Sequence, residues 1–422
     1  MILNIFVISC HEDNKIQSML LLYTIGIKIY TLIIWIFSFF SSKAAFFISG
    51  RKQIFKQITE KTNISDQNIW FHFASLGEFE QGRPVLEKLK ELYPQKKIII
   101  TFFSPSGYEI RKNYALADGI FYLPMDSKKN AKRFIEIVNP EIAIFTKYEF
   151  WYYYFKELSK NKIPLFVISG IFRKEQIFFK SYGGFYRSIL KYVNHFFVQN
   201  EESDLLLKSI GLSNTTISGD TRFDRVYENS ISPKKLPEIE AFCNNSPVLI
   251  CGSTWPEDEK RLAELSLKYP NWKFIIAPHE IDGSNIQNIQ TLFPQAIKFS
   301  EWKSQRSKPQ SQVLIIDNIG MLSSLYQYGK LAYIGGGFGA GIHNTLEAAA
   351  FGLPVIFGPK YHKFQEAKDL IKIAAAKSIS TTEELITAFE YFNQNQSSSA
   401  AAKNYVAEKK GATEVILKNI NF

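Results

Sequence analysis

The chain reads as an α/β protein of two successive domains, each a parallel sheet with helices on both faces, behind an apolar N-terminal segment. Three observations predict this. Short β-branched and aromatic runs alternate with helical stretches along most of the chain. The alternation thins once, in a polar, proline-bearing stretch at 229–247, and then resumes. Residues 19–41, MLLLYTIGIKIYTLIIWIFSFFS, are apolar apart from Lys28.

That apolar run has about the length a bilayer requires, roughly 20 residues. Between Asn14 and Thr59 stand Lys15, Lys28, Lys43, Arg51, Lys52 and Lys56, with no acid. Such a segment suits an anionic cytoplasmic membrane face. No small-residue cleavage site follows it, so residues 1–52 are expected to be a retained anchor region and the bulk of the protein cytosolic. A buried core helix is the other reading. Whether 19–41 spans the bilayer or lies in its interface stays open. Residues 1–18, with polar HEDNK at 11–15, sit badly before this run, and Met19 is the expected natural start.

The first domain is expected over 53–228. Strand-like runs fall at 69–75, 97–104, 119–124, 141–147, 164–170, 195–199 and 215–219, with helical patterns such as Glu80–Leu92 and Ala131–Val138 between them. Residues 229–247 read as a linker. The second domain is expected over 248–422, with strands at 248–253, 273–278, 313–317, 331–335 and 354–357 and a last helix at the C-terminus. Alternation of this kind implies parallel sheets. Two Rossmann-like domains around an interdomain cleft form the GT-B architecture. Ligands belong beyond the carboxyl ends of the strands.

Composition narrows the class. The 422 residues are 46% hydrophobic, enough for a large core, and the net charge is +10. The Lys and Arg are dispersed and no nucleic-acid module is visible, so anionic lipid or an anionic substrate accounts for the charge better than nucleic acid does. Cys10, Cys243 and Cys251 are odd in number and lack metal-ligand spacing, which indicates a reducing compartment.

The densest signal is 335–359, GGGFGAGIHNTLEAAAFGLPVIFGP. Gly335, Gly336, Gly337, Gly339 and Gly341 follow a short strand, and glycine lets backbone approach a ligand. His343 and Asn344 are expected to open a helix running through Ala350. Its N-terminus would suit a phosphate, and Glu347 would hold ribose hydroxyls. The spacing matches neither the Walker loop nor the dinucleotide fingerprint. A nucleotide sugar fits better than ATP or NAD. An ordinary helix cap, with Asn344 as N-cap and Glu347 completing a capping box, is the bland alternative.

Three strand ends carry that cap signature: Ser75–Glu78, Thr254–Glu257 and Asn344–Glu347. Capping alone accounts for all three carboxylates. Glu78 differs in having Gly77 beside it at the mouth of the first domain, where a carboxylate can serve as general base. Base and cap both remain open for it.

Taken together, these segments resemble a family. FHFASLGE resembles an S-V-G-E segment; Glu149-Phe150-Trp151 resembles E-x-E-hydrophobic-W; Gly219–Asp224 resembles G-N-x-K-F-D. Gly252-Ser253-Thr254 matches G-S-T, Pro278-His279-Glu280 partly resembles R-H-P-E-R, and His343–Glu347 is close to H-N-P-L-E. In order and spacing these are similar to the 3-deoxy-D-manno-octulosonic acid (Kdo) transferases, the lipid A glycosyltransferases, over about 19–420. The resemblance implies the GT-B fold and transfer of Kdo from CMP-Kdo to a lipid A precursor at the inner leaflet of the inner membrane. It further implies inversion at the anomeric carbon and neither metal nor other cofactor. It puts Glu78 at the base position and Glu149 and Arg222 where residues assist the transition state. Pro278, His279, Gly320, Met321, Leu322, Asn344, Thr345, Leu346 and Glu347 fall at CMP contacts, and Ser253, Thr254, Gly336 and Gly337 join them as donor-side candidates. Two positions depart from the pattern: Lys147 stands for the first Glu of E-x-E, and Arg222 for the Lys of G-N-x-K-F-D, which keeps charge but changes geometry.

The residue types fit the chemistry. A carboxylate can deprotonate an acceptor hydroxyl, and a helix N-terminus with nearby cations can stabilise a leaving phosphate without a metal. Arg222 can alternatively grip the Kdo carboxylate as a planar fork, or be a packing arginine. His279 can be a packed core histidine, and Glu149 a strand-end carboxylate. Two functions of other kinds also fit: another GT-B enzyme, such as a nucleotide-sugar epimerase or lipid-linked transferase, and a non-catalytic CMP-sugar-binding membrane protein.

Overall fold

The computed structural model describes residues 2–63, 65–304 and 310–420, with side chains from Gln17 onward. The expectation that Met19 is the natural start falls mostly on residues whose side chains lie outside that set. The chain forms two compact units, residues 1–221 with 411–422, and residues 222–410.

The first unit opens with helix α1 (Ile2–Phe37), followed by α2 (Ser42–Ser49) and α3 (Ile54–Lys61). Its sheet contains β1 (Asn68–Phe73), β2 (Lys97–Phe102), β3 (Gly119–Tyr122), β4 (Pro140–Thr146), β5 (Leu165–Gly170), β6 (His195–Val198) and β7 (Thr215–Ile217). All pairings are parallel, in the order β3-β2-β1-β4-β5-β6-β7. β1 is buried along its whole length, as a strand covered on both faces must be. Its residues alternate between two cores: Trp70 joins Phe134, Phe145 and Tyr154, while Ile69, Phe71 and Phe73 join Phe79, Val85 and Leu86 of α4 (Leu76–Leu92).

The second sheet contains β8 (Val248–Thr254), β9 (Lys273–Pro278), β10 (Ile297–Lys298), β11 (Val313–Ile315), β12 (Leu331–Ile334), β13 (Val355–Phe357) and β14 (Ala376–Ser378), ordered β10-β11-β9-β8-β12-β13-β14. It too is parallel throughout. Two parallel seven-stranded sheets and one apolar N-terminal helix make up the GT-B type of fold. β10 and β14 were not expected; they are edge strands of two and three residues, too short for a periodic signal.

The division differs from the expected one at two places. Residues 229–247 are not a bare linker: the helix Pro237–Cys243 buries Ile239 and Phe242 in the second unit's core. The last helix, Ala412–Lys418, belongs to the first unit. Its Ile416, and Ile420 beyond it, pack with Ile69, Phe71 and Phe73 in the first. Linker composition and chain order carry no information about which apolar face a late helix finds.

In each sheet the strand order reverses beside its first strand, between β1 and β4 and between β8 and β12. At such points of open parallel sheets the loops diverge, and ligands bind beyond the carboxyl ends of the strands. Most of the expected site residues follow these strands.

Candidate active site

In the first unit, His72 of β1 pairs with Phe145 of β4. The chains therefore leave the sheet side by side, Ala74 and Ser75 next to Lys147. Lys147 has φ +61, a left-handed backbone rare for a side-chain-bearing residue. Its Nζ lies 3.6 Å from Glu78 Oε1, and the two side chains are 22% and 19% exposed. The Ser75 hydroxyl donates to the other carboxylate oxygen of Glu78. Ser75 is the N-cap of α4, yet its side chain caps no backbone N–H. The expected capping box is not formed: Glu78 is held by a hydroxyl and an ammonium.

Glu149 turns elsewhere. Trp151 Nε1 donates to its Oε2 at 3.0 Å, and His72 Nε2 stands 3.4 Å from the same oxygen. His72 is fully buried, and its Nδ1 lies 2.8 Å from Thr101 Oγ1. That oxygen already accepts from Trp70 Nε1 at 2.8 Å. The same hydroxyl donates to the Phe71 carbonyl at 3.4 Å. The sequence reading passed over His72; a polar residue inside the run IWFHF was the available signal. Glu149 is a strand-end carboxylate held by Trp151 and the buried His72.

In the second unit, Gly252 pairs with Ile334, so Ser253 and Thr254 lie against Gly335 and Gly336. β8 bulges between Gly252 and Thr254, and Ser253 has φ +53, a local kink of the kind common beside active sites. Asp258 ties the two loops together. It accepts from the N–H groups of Trp255 and Gly336, each at 2.9 Å, and from the Tyr333 hydroxyl at 2.8 Å. The expected cap pair Thr254 and Glu257 is thus displaced by one residue to Trp255 and Asp258. Thr254 instead donates to buried Glu259 at 2.9 Å, and burial pushes that carboxyl up to about 7. Ser253 remains at the loop surface; the Thr254 hydroxyl is internal.

The glycine loop is packed by its own chain. A Cβ on Gly336 would lie 2.5 Å from the Gly341 carbonyl and 3.0 Å from the His343 ring; one on Gly337 would meet Gly358 backbone at 2.6 Å. These glycines permit backbone-to-backbone contact, where the sequence reading had them clearing space for a ligand. The helix after the loop runs Leu346–Ala350, not from His343, with Thr345 at its N-cap. Asn344 Oδ1 accepts from Leu346 N at 3.0 Å, and Asn344 Nδ2 donates to Glu347 Oε1 at 3.1 Å. One N-terminal donor is therefore already satisfied, and five residues carry little of a full helix dipole. Thr345 and Leu346 are fully buried.

His279 is exposed, which excludes the core reading. Its ring stacks between Trp255, centroids 4.8 Å apart, and His343 at 4.5 Å. Trp255 Nε1 donates to His343 Nε2 at 3.2 Å, and burial, with His279 nearby, pushes His343 down to about 4. His343 is thus neutral at neutral pH, consistent with its accepting role. Pro278 is buried at the end of β9. Gly320, at φ +92, turns the chain into Met321 and Leu322. Leu322 and the Tyr326 hydroxyl close on Gly252, where a Cβ would lie 2.4 Å from that oxygen. Ser253, Pro278, His279, Leu322, Gly336 and the Asn344–Glu347 segment thus gather at one edge of the sheet. Arg222 opens the helix Arg222–Ile231 and pairs with Glu366 at 2.9 Å.

Two parallel sheets of this order in successive units define the GT-B class of fold. Solved structures agree in fold. UDP-GlcNAc 2-epimerase from Neisseria meningitidis bound to UDP-GlcNAc aligns with TM-score 0.59 at 18% identity, covering 83% of this chain and 99% of that one. MurG from Acinetobacter baumannii aligns with TM-score 0.50 at 12% identity, covering 84% and 98%. Residues 49–225 match the family model of 3-deoxy-D-manno-octulosonic-acid transferase (kdotransferase). A 3-deoxy-D-manno-octulosonic acid transferase of Rickettsia bellii is 27% identical over 348 residues, 80% of this chain and 82% of the relative. One of Aquifex aeolicus is 27% identical over 323 residues, 76% and 84%. The chain is thus similar, in its motifs and over most of its length, to Kdo transferases, which are glycosyltransferases.

Proposed function

We propose that this protein transfers Kdo from CMP-Kdo to a lipid A precursor at the cytoplasmic face of the inner membrane, in lipopolysaccharide synthesis, with Glu78 as general base. The kinship with named Kdo transferases supports the sugar and the donor. The observation that carries the lipid acceptor is a line of contacts from the apolar helix to the first unit's strand ends. Tyr30 of α1 stacks on Phe103, centroids 6.2 Å apart; Phe103 packs on Trp151 at 4.8 Å; Trp151 donates to Glu149. An acceptor whose acyl chains lie along α1 would bring its sugar hydroxyl to this edge.

In the reaction an acceptor hydroxyl oxygen attacks the anomeric carbon of Kdo as the bond from that carbon to the CMP phosphate oxygen breaks. The bonding pair leaves with CMP, and the hydroxyl proton passes to Glu78. Attack opposite the leaving group inverts the centre. Glu78 is suited to this because its carboxylate is not consumed as a helix cap; Lys147 and Ser75 hold it in place. Glu149, held by His72 and Trp151, and Arg222, neutralised by Glu366, are the proposed supports of the transition state. On the donor side the exposed His279 and Trp255 rings offer a stacking surface for a base, and Asn344 and Glu347 offer polar groups for ribose and phosphate.

The test is mass spectrometry of lipid products from purified protein, a tetraacylated acceptor and either CMP-Kdo or UDP-sugars. A product heavier by Kdo, formed with CMP-Kdo alone, is expected. Turnover of a UDP-sugar without lipid modification would instead identify an epimerase-type enzyme; binding of CMP without any turnover would identify a sensor.

A further inference from the structure

Beneath α1 lies an apolar groove of about 570 Å³, walled by Ile27, Thr31, Leu32 and Trp35 of α1 and by Phe47 of α2. It adjoins a second depression of about 470 Å³ bounded by Gln53, Lys56, Asn130 and Arg133, and Arg51 and Met125 line both. Lys28 and Lys52 complete the rim of the groove. An apolar slot thus opens into a basic basin.

Most of the charges there have no carboxylate partner among the described residues. Arg51 donates to the carbonyls of Phe47, Phe103 and Leu123 and packs on the Phe47 ring at 3.7 Å. Among the described residues no carboxylate lies within ion-pair distance of Lys28, Arg51 or Lys52. Burial pushes the Arg51 guanidinium down to about 10. Lys56 has Glu60 at 3.9 Å, a pair open to solvent. The acid in the groove wall is Asp126. Its carboxylate is already taken by the Tyr23 hydroxyl and the N–H groups of Tyr153 and Tyr154, and burial pushes it up to about 6. A half-buried cation with carbonyl partners alone is an incomplete arrangement that an anion would complete.

The occupant follows from what surrounds the slot. Leu21, Leu22, Ile29, Ile33, Phe37 and Phe40 are exposed along and just beyond α1, an apolar surface larger than soluble proteins leave bare. A ligand reaching the groove from that surface arrives with an acyl chain, and the basin asks for a phosphate. We infer that this paired groove and basin is a seat for one anionic diacyl phospholipid of the bilayer, an acyl chain along Ile27, Thr31 and Trp35 and the phosphate among Arg51, Lys52 and Lys56. The seat is separate from the acceptor's reacting end. Met125 and Arg133 follow the edge strand β3, whereas Glu78 follows β1 two strands away, roughly 10 Å at the usual strand spacing. The inference therefore does not depend on the transferase reading.

The test uses the full chain in neutral detergent, mixed with dioleoylphosphatidylglycerol or dioleoylphosphatidylcholine and weighed by native mass spectrometry. One retained phosphatidylglycerol is expected, with phosphatidylcholine lost. Thr31→Trp fills the groove and breaks only a bond to its own helix, to the Ile27 carbonyl. Lys52→Glu with Lys56→Glu reverses the rim at exposed positions. The charge reversal should reduce the adduct about tenfold or more, because two rim cations that attract a lipid phosphate become anions, and Thr31→Trp should reduce it comparably by occupying the groove. Thr31→Trp should still sediment with phosphatidylglycerol vesicles, because the exposed face is intact. Equal retention of both lipids, or an undiminished adduct in the Lys52/Lys56 variant, overturns the inference. So does displacement of the phospholipid by an equimolar tetraacylated glycolipid, which would make this the acceptor's own seat. If Thr31→Trp melts early, the surface variant decides.

Discussion

Glu78 is the proposed general base, and the residue scale offers its test. Glu78→Gln keeps its size and its bond from Ser75 but cannot take a proton. Turnover should fall about 10²-fold or more, with CMP affinity and melting nearly unchanged. A folded Glu78→Gln protein that still transfers Kdo would move the base to Glu149. His343 supplies a second residue-scale expectation. Its folded value near 4 lies below the ordinary 6.5, so the native state resists protonation. The stability it contributes is complete above pH 6.5 and is lost as pH falls toward 4. Glu259, raised to about 7, acts in the opposite sense across that window. The measure is therefore the difference in denaturant midpoint between wild type and His343→Phe, which should shrink steadily from pH 7 to pH 4; a constant difference would refute the buried neutral imidazole. Glu78 and Glu149 were legible in the sequence as candidates because strand-end motifs are local. Lys147 as partner of Glu78, His72 as a partner of Glu149 and Asp258 as the clasp of two loops were not. Each depends on a contact across neighbouring strands, and a register is not written in either strand alone.

At the scale of elements, the strands were the most legible part. Buried parallel strands are continuous apolar runs, and all seven runs expected in the first half correspond to strands. Caps were read less well. Ser75–Glu78 and Thr254–Glu257 have capping-box spacing, but spacing does not say whether the side chains find backbone or each other. The C-terminal helix is the clearest discrepancy, and it is open to test. Ile416 is fully buried in the first unit, so Ile416→Ala should cost about 2–5 kcal/mol. A chain ending at Lys410 should melt earlier still, with the loss confined to the first unit in hydrogen exchange. Unchanged protection of β1 and α4 in that shortened chain would show that the helix is dispensable there.

At the scale of the whole molecule, the expected anchor and the net charge can be tested together. Half of α1 is seated on the first unit: Met19, Leu20 and Tyr23 pack against its core, while Leu21, Leu22 and Ile25 face outward. A helix with one side committed to protein is suited to lying in the interface. Removing residues up to Arg51 would strip Phe47 and Arg51 from the fold, so the anchor is better tested by Leu22→Ser, Phe37→Ser and Phe40→Ser together. That variant should keep its melting temperature and lose most co-sedimentation with anionic vesicles. Wild-type sedimentation should weaken as salt rises, since the net charge of +10 adds a screened attraction. Equal sedimentation of both forms would refute the anchor.

From its order of residues alone this chain declared two parallel α/β domains, an apolar basic N-terminus and the strand-end motifs that make candidates for a site. Those features are periodic or contiguous, and local physics reads them. Tertiary structure alone decided that Lys147 meets Glu78, that the glycines after β12 accommodate their own backbone, that the last helix returns to the first unit, and that a cationic groove opens beneath α1. Each of these needs groups far apart in sequence to meet, and only closure of the sheets and packing of their helices brings them together.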